Sequence, residues 1–272
     1  MLPKRYPPRT VIFHYSHYSH NSHYQSSKVF FQEGKMDKNT VELAVVMPVY
    51  NEQEIIRQTV TEWEYLLKQL DINYEFHIYD DGSGDNTPKI LKELAAANPK
   101  IIPHFQSRTG HGPTSLLGCR ENSDAKWIFL TDSGSDASFK NFGRMWGMRR
   151  TYYFIVARRK RTLRIDHLIV STISSMIIKI LYGRGVFDVN SPCRLMFCHA
   201  FRDIFQMIPE NTYAPNLIIT GEACHRQIAL CELQIDSYHA KPGSGYYTKD
   251  ITLKTIFKVL YQTIMFRLKN LQ

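Results

Sequence analysis

Apolar and polar positions alternate in blocks from residue 43 onward, and these blocks predict strands and helices in turn. Between the early strand-like runs, apolar residues recur at helical spacing from Ile56 to Leu70, and again through Ile90, Leu91 and Leu94. Short strands that alternate with helices of this length are typical of a parallel sheet with crossover helices. Four such strands are predicted in the first half, at LAVVMPV (43–49), YEFHIYD (74–80), IIPHF (101–105) and WIFLTD (127–132). We therefore predict an α/β fold with a mostly parallel central sheet flanked by helices.

The second half of the chain has a less regular pattern. A strand is predicted at YYFIVA (152–157), a half-apolar helix within 167–183, another helix near 215–229 and a strand from Cys231. The helix within 167–183 carries Lys179, a histidine and several hydroxyls, so it falls short of the roughly 20 apolar residues that a membrane-spanning helix needs. A last helix in 249–272 is basic and amphipathic, and its apolar side is predicted at Ile256, Val259, Leu260, Ile264 and Leu268.

Residues 1–40 differ in composition from the rest of the chain. His14, His17, His20 and His23 are spaced three apart, with tyrosine and serine between them. This segment is either a metal-binding tract or a low-complexity tail, and we expect a disordered tail. The predicted organisation is therefore a tail at 1–40, one domain at 41–248 and a basic amphipathic helix at 249–272.

Polar side chains follow each of the four early strands, at the edge where parallel sheets bind ligands. A carboxylate at the mouth of a buried strand costs desolvation energy unless something there favours negative charge. Asp132 ends the fourth strand in this way, and Asp136 follows four residues later. The four loops together contain Pro48, Tyr50, Asn51, Glu52, Asp80, Asp81, Gly82, Ser83, Asp85, Gly110, His111, Gly112, Asp132 and Asp136.

The charge balance points to an anionic partner. The chain has a formal net charge of +9 and a pI near 9.2, so nucleic acid, a phosphate-bearing substrate and a membrane surface are all open at this point, as is a merely basic surface. The five cysteines are odd in number and form no C-x-x-C pair, which favours the reduced thiols of a cytosolic protein over a disulfide framework.

Six motifs together carry a resemblance to a known family. They are VVMPVYNE, YDDGSGDNT, the GHG turn followed by Gly118, WIFLTDS, FDVNSPCRLM and HAKPGSG, in this order between residues 43 and 245. The chain resembles family-2 glycosyltransferases of the nucleotide-sugar-binding GT-A fold, and among them the dolichol-phosphate mannose synthase-like enzymes. The third motif lacks the lysine that is usual in the family, and Lys241 stands at a position where the family usually has arginine.

The resemblance implies a nucleotide-diphosphate sugar donor, Mg²⁺ or Mn²⁺, and inversion at the anomeric carbon. It implies that Asp80 or Asp81 contacts the base or ribose, and that Asp132 binds the metal. A hard cation held by carboxylate oxygen would stabilise the charge of the leaving diphosphate, and such a cation needs only one or two protein carboxylates. Gly134 stands where the family usually has a second aspartate, and Asp136 is the alternative metal ligand. The residues implied for nucleotide-sugar binding are Pro48, Tyr50, Glu52, Asp80, Asp81, Gly112 and Ser133.

The resemblance leaves two classes of acceptor open. A polyprenyl (dolichyl or undecaprenyl) phosphate needs cations rather than a general base, and these cations are predicted at Arg158, Arg161, Arg194 and Lys241. Arg194 is therefore counted with the catalytic residues as well. An acceptor hydroxyl would need a base, for which Glu222 is the candidate, although a solvated helix carboxylate is an equal alternative.

We favour a transferase that moves a sugar from a GDP- or UDP-sugar to a lipid phosphate. A soluble transferase acting on a glycan hydroxyl and a nucleotide-sugar-binding protein without turnover remain as alternatives. The expected partners are the donor and a lipid-phosphate or glycan acceptor, and nucleic acid is not expected. The expected location is the cytoplasm, with peripheral contact to the cytoplasmic face of a membrane left open because the basic helices could lie on a bilayer.

Overall fold

The computed structural model describes residues 41–134, 136–159, 175–183, 185–235 and 253–270. The predicted tail lies outside these residues, as do 160–174 and 236–252. The described elements in chain order are β1 (Leu43–Val49), α1 (Ile56–Gln69), β2 (Tyr74–Asp80), α2 (Thr87–Ala97), β3 (Ile101–Phe105), α3 (His111–Glu121), β4 (Trp127–Leu130), α4 (Asp136–Met148), β5 (Phe154–Arg159), α5 (175–182), β6 (Arg194–Phe197), α6 (Cys198–Met207), α7 (Pro215–His225), β7 (Leu230–Ile235) and α8 (Leu253–Lys269).

The described strands form one seven-stranded sheet in the order β3-β2-β1-β4-β6-β5-β7. Among them only β6 runs antiparallel to its two neighbours, so the prediction of a mostly parallel sheet flanked by helices is confirmed. One row of paired residues crosses strands β4, β6, β5 and β7. In this register row, Leu130 pairs with Arg194, Arg194 with Val156, and Val156 with Glu232. Because neighbouring strands lie about 4.8 Å apart, β4 and β5 are separated by about 10 Å.

Apolar side chains cover both faces of the sheet, which is why its strands read as nearly continuous apolar runs. On one face α1, α2 and α4 pack around Trp63, whose ring lies 5.4 Å from the rings of Phe129 and Phe142. On the other face α3, α5, α6, α7 and part of α8 cover the sheet. The five cysteines of the sequence are buried thiols.

Helix α3 lies unusually close to the sheet because of one glycine. A Cβ atom at Gly118 would lie 2.4 Å from Cγ1 of Val46 and 2.9 Å from the ring of Tyr79. Only a residue without a side chain fits between the helix and these strands. The close contact fixes the N-terminus of α3 at the carboxyl ends of the parallel strands.

Several predicted boundaries differ from the structure. Strand β5 continues to Arg159, so Arg158 belongs to the strand rather than to the loop after it. Helix α7 ends at His225, and the chain then turns through Gln227, which has a φ of 56°. Within the described residues, no helix is both long and apolar enough to cross a membrane.

Only part of the predicted apolar side of helix α8 meets the core, because Val259 packs against the core whereas Leu268 does not. Thr263 and Phe266 are buried, whereas Leu268 is 53% exposed. The predicted apolar side included Leu268, because apolar spacing alone does not show which side of an amphipathic helix meets the protein.

Candidate active site

The loops after β1 and β2 are held together by hydrogen bonds between them. The backbone N–H of Asn51 donates to Oγ of Ser83, and the N–H of Gly84 donates to Oδ1 of Asn51, both at 2.8 Å. The N–H of Glu52 donates to Oγ1 of Thr87, also at 2.8 Å. Asn51 has a φ of 51°, a left-handed conformation that asparagine tolerates better than most residues. The first two sequence motifs therefore build one rigid rim at the sheet edge.

Asp81 is fully buried and its carboxylate organises the loop between β3 and α3. It accepts hydrogen bonds from the backbone N–H groups of Thr109 (2.7 Å) and Gly110 (2.9 Å), and from Nε2 of Gln106 at 3.1 Å. Burial alone would raise the pKa of this carboxyl, but the hydrogen bonds outweigh it and hold the pKa below the usual range. Asp81 therefore shapes the ligand-facing loop, and its predicted contact with the nucleotide stays a prediction.

The neighbouring Asp80 is only 2% exposed and has local partners. Its carboxylate accepts hydrogen bonds from the N–H and the hydroxyl of Ser83. Burial is the main cause that raises the pKa of the Asp80 carboxyl, and the hydrogen bonds from Ser83 only partly oppose it. The structure thus places both aspartates of the second motif at the sheet edge. The pKa of Asp80 is raised, whereas that of Asp81 is lowered.

Asp132 lies at the carboxyl end of β4 and forms an ion pair with His111. Oδ1 of Asp132 is 2.8 Å from Nε2 of His111, and the two side chains are 13% and 31% exposed. Burial would lower the pKa of His111, but the charge and hydrogen bond of Asp132 raise it, helped by the charges of Glu52 and Asp81. The four loops therefore converge electrostatically on one imidazole. The sequence analysis included His111 in the third loop but assigned it no function. His111 stands in the motif that lacks the lysine usual in the family.

A cation–aromatic contact joins the first loop to the third. The guanidinium of Arg108 lies 3.2 Å from the ring centroid of Tyr50, and Glu52 beside it is fully buried. Planar guanidinium and aromatic groups stack in this manner at nucleotide sites as well as in protein cores. The structure brings Tyr50 and Glu52 together with the aspartates, as the sequence analysis predicted, while their contact with a donor stays a prediction.

The other residues predicted to bind the donor also lie at this edge. Pro48 sits in β1 past Val46, where the pairing of β1 with β4 ends. Ser133 is 2% exposed, and its backbone carbonyl accepts the hydroxyl of Thr59. A Cβ atom at Gly112 would lie only 2.0 Å from the carbonyl oxygen of Tyr213, so this glycine is required for packing whatever its role toward a donor.

Arg194 has a different environment from the one predicted. It is fully buried, and its guanidinium donates to the carbonyls of Ser191, Val189 and Asn216 and to Oγ1 of Thr220. The side chain therefore connects the segment before β6 to α7. This geometry contradicts the predicted contact of Arg194 with an acceptor phosphate, because a guanidinium sealed among backbone carbonyls presents no surface to a ligand.

Glu222 lies in the interior of the helical layer. It is 3% exposed, and its Oε2 is 3.6 Å from Nε of Arg226 on the next turn of α7. Its charge acts on Tyr182 and His225, whereas the charges that act on His111 are those of Asp132, Glu52 and Asp81. This position argues against Glu222 as the base for an acceptor at the sheet edge.

Two cations lie on one aromatic ring at the carboxyl end of β5. The guanidinium of Arg158 is 4.1 Å from the ring centroid of Phe187, and Nζ of Lys179 is 5.2 Å from it. Arg158 is two residues beyond Val156, as Asp132 is two residues beyond Leu130 in the same register row. Arg158 thus lies on β5 and Asp132 just beyond the end of β4, and these two strands are about 10 Å apart in the sheet.

The side chains of three further predicted residues lie outside the described part of the structure. Arg161 and Lys241 lie outside the described residues, and Asp136 begins α4 without a described side chain. Their roles toward phosphate and metal stay predictions.

The surroundings of Asp132 suit a divalent cation that is bound partly by the protein and partly by the phosphates of a substrate. The nearby carboxylates of Asp81, Glu52 and Asp132 would repel a diphosphate unless a cation neutralised it. Across 41–134, 136–159, 175–183, 185–235 and 253–270, no group of three or more histidine, cysteine, aspartate or glutamate side chains is arranged to hold a metal ion. Magnesium and manganese usually keep waters and bind phosphate oxygens beside one or two carboxylates, so Asp132 fits such an ion.

The sheet order and the ligand-like loops on one edge give the chain a fold of the GT-A type. The family model of glycosyl transferase family 2 matches residues 44–205, which is more than half of the 272-residue chain. The chain belongs to glycosyltransferase family 2, as the motifs had indicated.

A sequence relative agrees with this assignment, and solved structures agree with the fold. The chain is 27% identical over 207 residues to an undecaprenyl-phosphate 4-deoxy-4-formamido-L-arabinose transferase of Proteus mirabilis, covering 75% of this chain and 61% of that protein. Glucosyl-3-phosphoglycerate synthase of Mycobacterium tuberculosis, solved with phosphoglyceric acid, superposes with a TM-score of 0.56 at 16% identity, over 84% of this chain and 79% of the other. A structure of that enzyme with Mn²⁺, UDP and phosphoglyceric acid gives 0.56 at 15% identity, over 84% and 77%.

Proposed function

We propose that this glycosyltransferase moves a sugar from a nucleotide-diphosphate donor to a polyprenyl phosphate, with Mg²⁺ or Mn²⁺ on the donor diphosphate. The observation that carries the proposal is the pair of cations at Phe187. Arg158 lies near the end of β5, on a strand about 10 Å from β4 and Asp132, and Lys179 shares its aromatic ring, so we infer that the two cations bind an anionic acceptor. The relative from Proteus mirabilis, whose name specifies undecaprenyl phosphate, supports the same acceptor.

Different residues of the chain would bind the donor and the acceptor. The loops at Tyr50, Asp80 and Asp81 would bind the nucleotide, and Asp132 would hold the metal, which supplies Lewis-acid stabilisation of the leaving diphosphate when bound. Arg158 would orient the acceptor phosphate by charge-assisted hydrogen bonds. The acceptor oxygen would attack the anomeric carbon while the bond to the diphosphate breaks, and no base is required because the phosphate is already ionised.

The experiment that tests this function is a transfer assay with purified full-length protein. UDP- and GDP-sugars are supplied with Mn²⁺, each with polyprenyl phosphate, with a soluble glycan or without acceptor. Transfer to the lipid phosphate supports the proposal. Transfer only to the glycan favours a soluble enzyme, and the absence of both transfer and donor hydrolysis indicates a binding protein without turnover.

The role of the cation pair is tested by charge removal. Arg158→Gln and Lys179→Gln should each lower kcat/KM for the lipid phosphate by about 10–100-fold, the value of one hydrogen bond to a charged group, while KM for the donor changes little. The matched control is Lys92→Gln, because Lys92 also lies over a ring, 5.3 Å from Phe105, but on α2. Equal losses for donor and acceptor would assign the cations to the nucleotide instead.

A further inference from the structure

Helix α5 turns apolar side chains away from the core. Ile178 and Tyr182 are buried against the sheet, whereas Met176 and Ile180 on the opposite side are 63% and 74% exposed. Residues four apart lie on the same side of a helix, so Met176 and Ile180 form a short apolar line toward the outside.

Helix α8 has the same two-sided arrangement. Its core side consists of Thr263 and Phe266, while Phe257, Tyr261 and Leu268 are 74%, 65% and 53% exposed. The spacing of four and seven residues places these three on one side of the helix. The most exposed side of α8 is therefore apolar rather than polar, the reverse of the usual surface helix.

The two helices adjoin at their C-terminal halves. Nε of Arg267 in α8 donates to the carbonyl of Leu181 at 3.3 Å, and its guanidinium lies 5.0 Å from the ring centroid of Tyr182. This contact joins the two helices, and we refer to their outward sides together as the outer apolar face. It consists of five of the ten exposed large apolar side chains in the described part of the chain, namely Met176, Ile180, Phe257, Tyr261 and Leu268. Such a concentration marks an interaction surface.

The charges around the outer apolar face are all positive on these helices. Lys179, Lys258 and Lys269 are exposed beside it, and the 17 residues of α8 contain no aspartate or glutamate. Apolar side chains flanked by lysines bind best to the interface of an anionic bilayer, where both groups find their preferred surroundings. A symmetric contact with a second copy would instead bring these lysines together without counter-charges.

A continuous set of contacts links the outer apolar face to the active site. Nζ of Lys258 lies 5.4 Å from the ring centroid of Tyr213, and the N–H of Tyr213 donates to Oε1 of Gln262 at 2.8 Å. The carbonyl of Tyr213 in turn lies directly against Gly112, which follows His111 at the start of α3. A surface bound by α8 would therefore be held at a fixed position relative to Asp132.

We infer that the outer apolar face docks onto the headgroup region of an anionic lipid bilayer. The exposed apolar side chains enter the interface, and the three lysines contact lipid phosphates. This docking goes beyond the proposed function, because it needs neither donor nor acceptor. Vesicles without polyprenyl phosphate therefore test it separately from the transfer reaction.

The test is vesicle flotation of the full-length protein. With vesicles of phosphatidylglycerol and phosphatidylcholine, the wild type should float with a partition coefficient at least tenfold higher than with phosphatidylcholine alone. Phe257→Glu combined with Tyr261→Glu should lower binding to the anionic vesicles at least tenfold. Tyr65→Glu is the matched control, since Tyr65 is 64% exposed on α1, and it should bind like the wild type.

Two results would overturn the inference. One is equal flotation of the wild type and the double variant, with unchanged thermal midpoints showing that both are folded. The other is a wild type that binds no vesicles but self-associates in sedimentation velocity through Phe257 and Tyr261, because the outer apolar face would then belong to a second copy.

Discussion

Replacing Asp81 by alanine should destabilise the protein as well as disturb the donor site. The carboxylate accepts the backbone N–H groups of Thr109 and Gly110 at 2.7 and 2.9 Å, and both lose their acceptor in the variant. Leaving a buried donor without a partner costs about 1–3 kcal/mol. Because this loop is partly open to water, we expect a total loss of about 2–4 kcal/mol in the free energy of unfolding.

Urea unfolding of the wild type, Asp81→Ala and Asp80→Ala measures this effect. Asp80 accepts only local hydrogen bonds from Ser83 and its pKa is raised by burial, so its removal should cost less than that of Asp81. The pKa of Asp81 is lowered in the folded state, so its contribution is complete above the unfolded pKa of about 3.9 and is lost as pH falls through the folded value. The difference between wild type and Asp81→Ala should therefore be constant from about pH 6 to 8. A cost below about 0.5 kcal/mol would refute the reasoning, since the loop would then not depend on the carboxylate.

Three further predictions concern packing, metal and pH. Gly112→Ala should cost about 1–3 kcal/mol in urea unfolding because its Cβ would enter the backbone of Thr212 and Tyr213, whereas Gly143→Ala, with nothing within 4 Å, should be neutral or stabilising. Asp132→Ala should keep the fold by circular dichroism but lower Mn²⁺-dependent transfer at least about 100-fold and weaken Mn²⁺ binding in the presence of nucleotide diphosphate, and activity that survives chelators would contradict this. Burial lowers the pKa values of His77 and His104, whose rings share a hydrogen bond of 3.1 Å, so the unfolded chain takes up protons first. The free energy of unfolding should therefore fall as pH drops below about 6.5, and replacing both histidines by glutamine should flatten this slope in urea titrations at pH 7.5 and 5.5.

The gathering of the loop residues at one sheet edge was predictable because the information for it is local. Apolar runs ending in Tyr50, Asp80 or Asp132 define parallel strands and their carboxyl ends, and parallel strands bring those ends to one edge. The pairing of His111 with Asp132 could not be predicted in the same way, because it depends on how closely α3 approaches the sheet at β1 and β2. That approach is set by packing at Gly118, which the sequence shows only as one glycine in a motif.

The surroundings of the residues predicted to bind an acceptor were harder to predict because they depend on non-local packing. Arg158 follows a predicted strand and Arg194 lies in a sequence motif, yet Arg194 is sealed among backbone carbonyls and Arg158 lies on an aromatic ring. Lys179, the second cation, lies on a helix, and Phe187, the ring that both cations contact, lies in a loop. No regular spacing in the sequence connects these residues with Arg158. Glu222 looked like a helix carboxylate that could face a substrate, but only the packing of α5 and α8 against α7 shows that it is interior.

The position of β6 has a consequence for the order in which the chain can fold. Strands β1 to β4 pair with one another in a short stretch of sequence, but β5 reaches them only through β6, which comes some forty residues after it. During synthesis the first four strands can assemble as an early unit, while the edge of β4 waits for residues 194–197. Pairing over such sequence separations is slow and leaves an open strand edge exposed to other chains. Substitutions in β6 should therefore reduce the yield of folded protein more than their cost in final stability suggests.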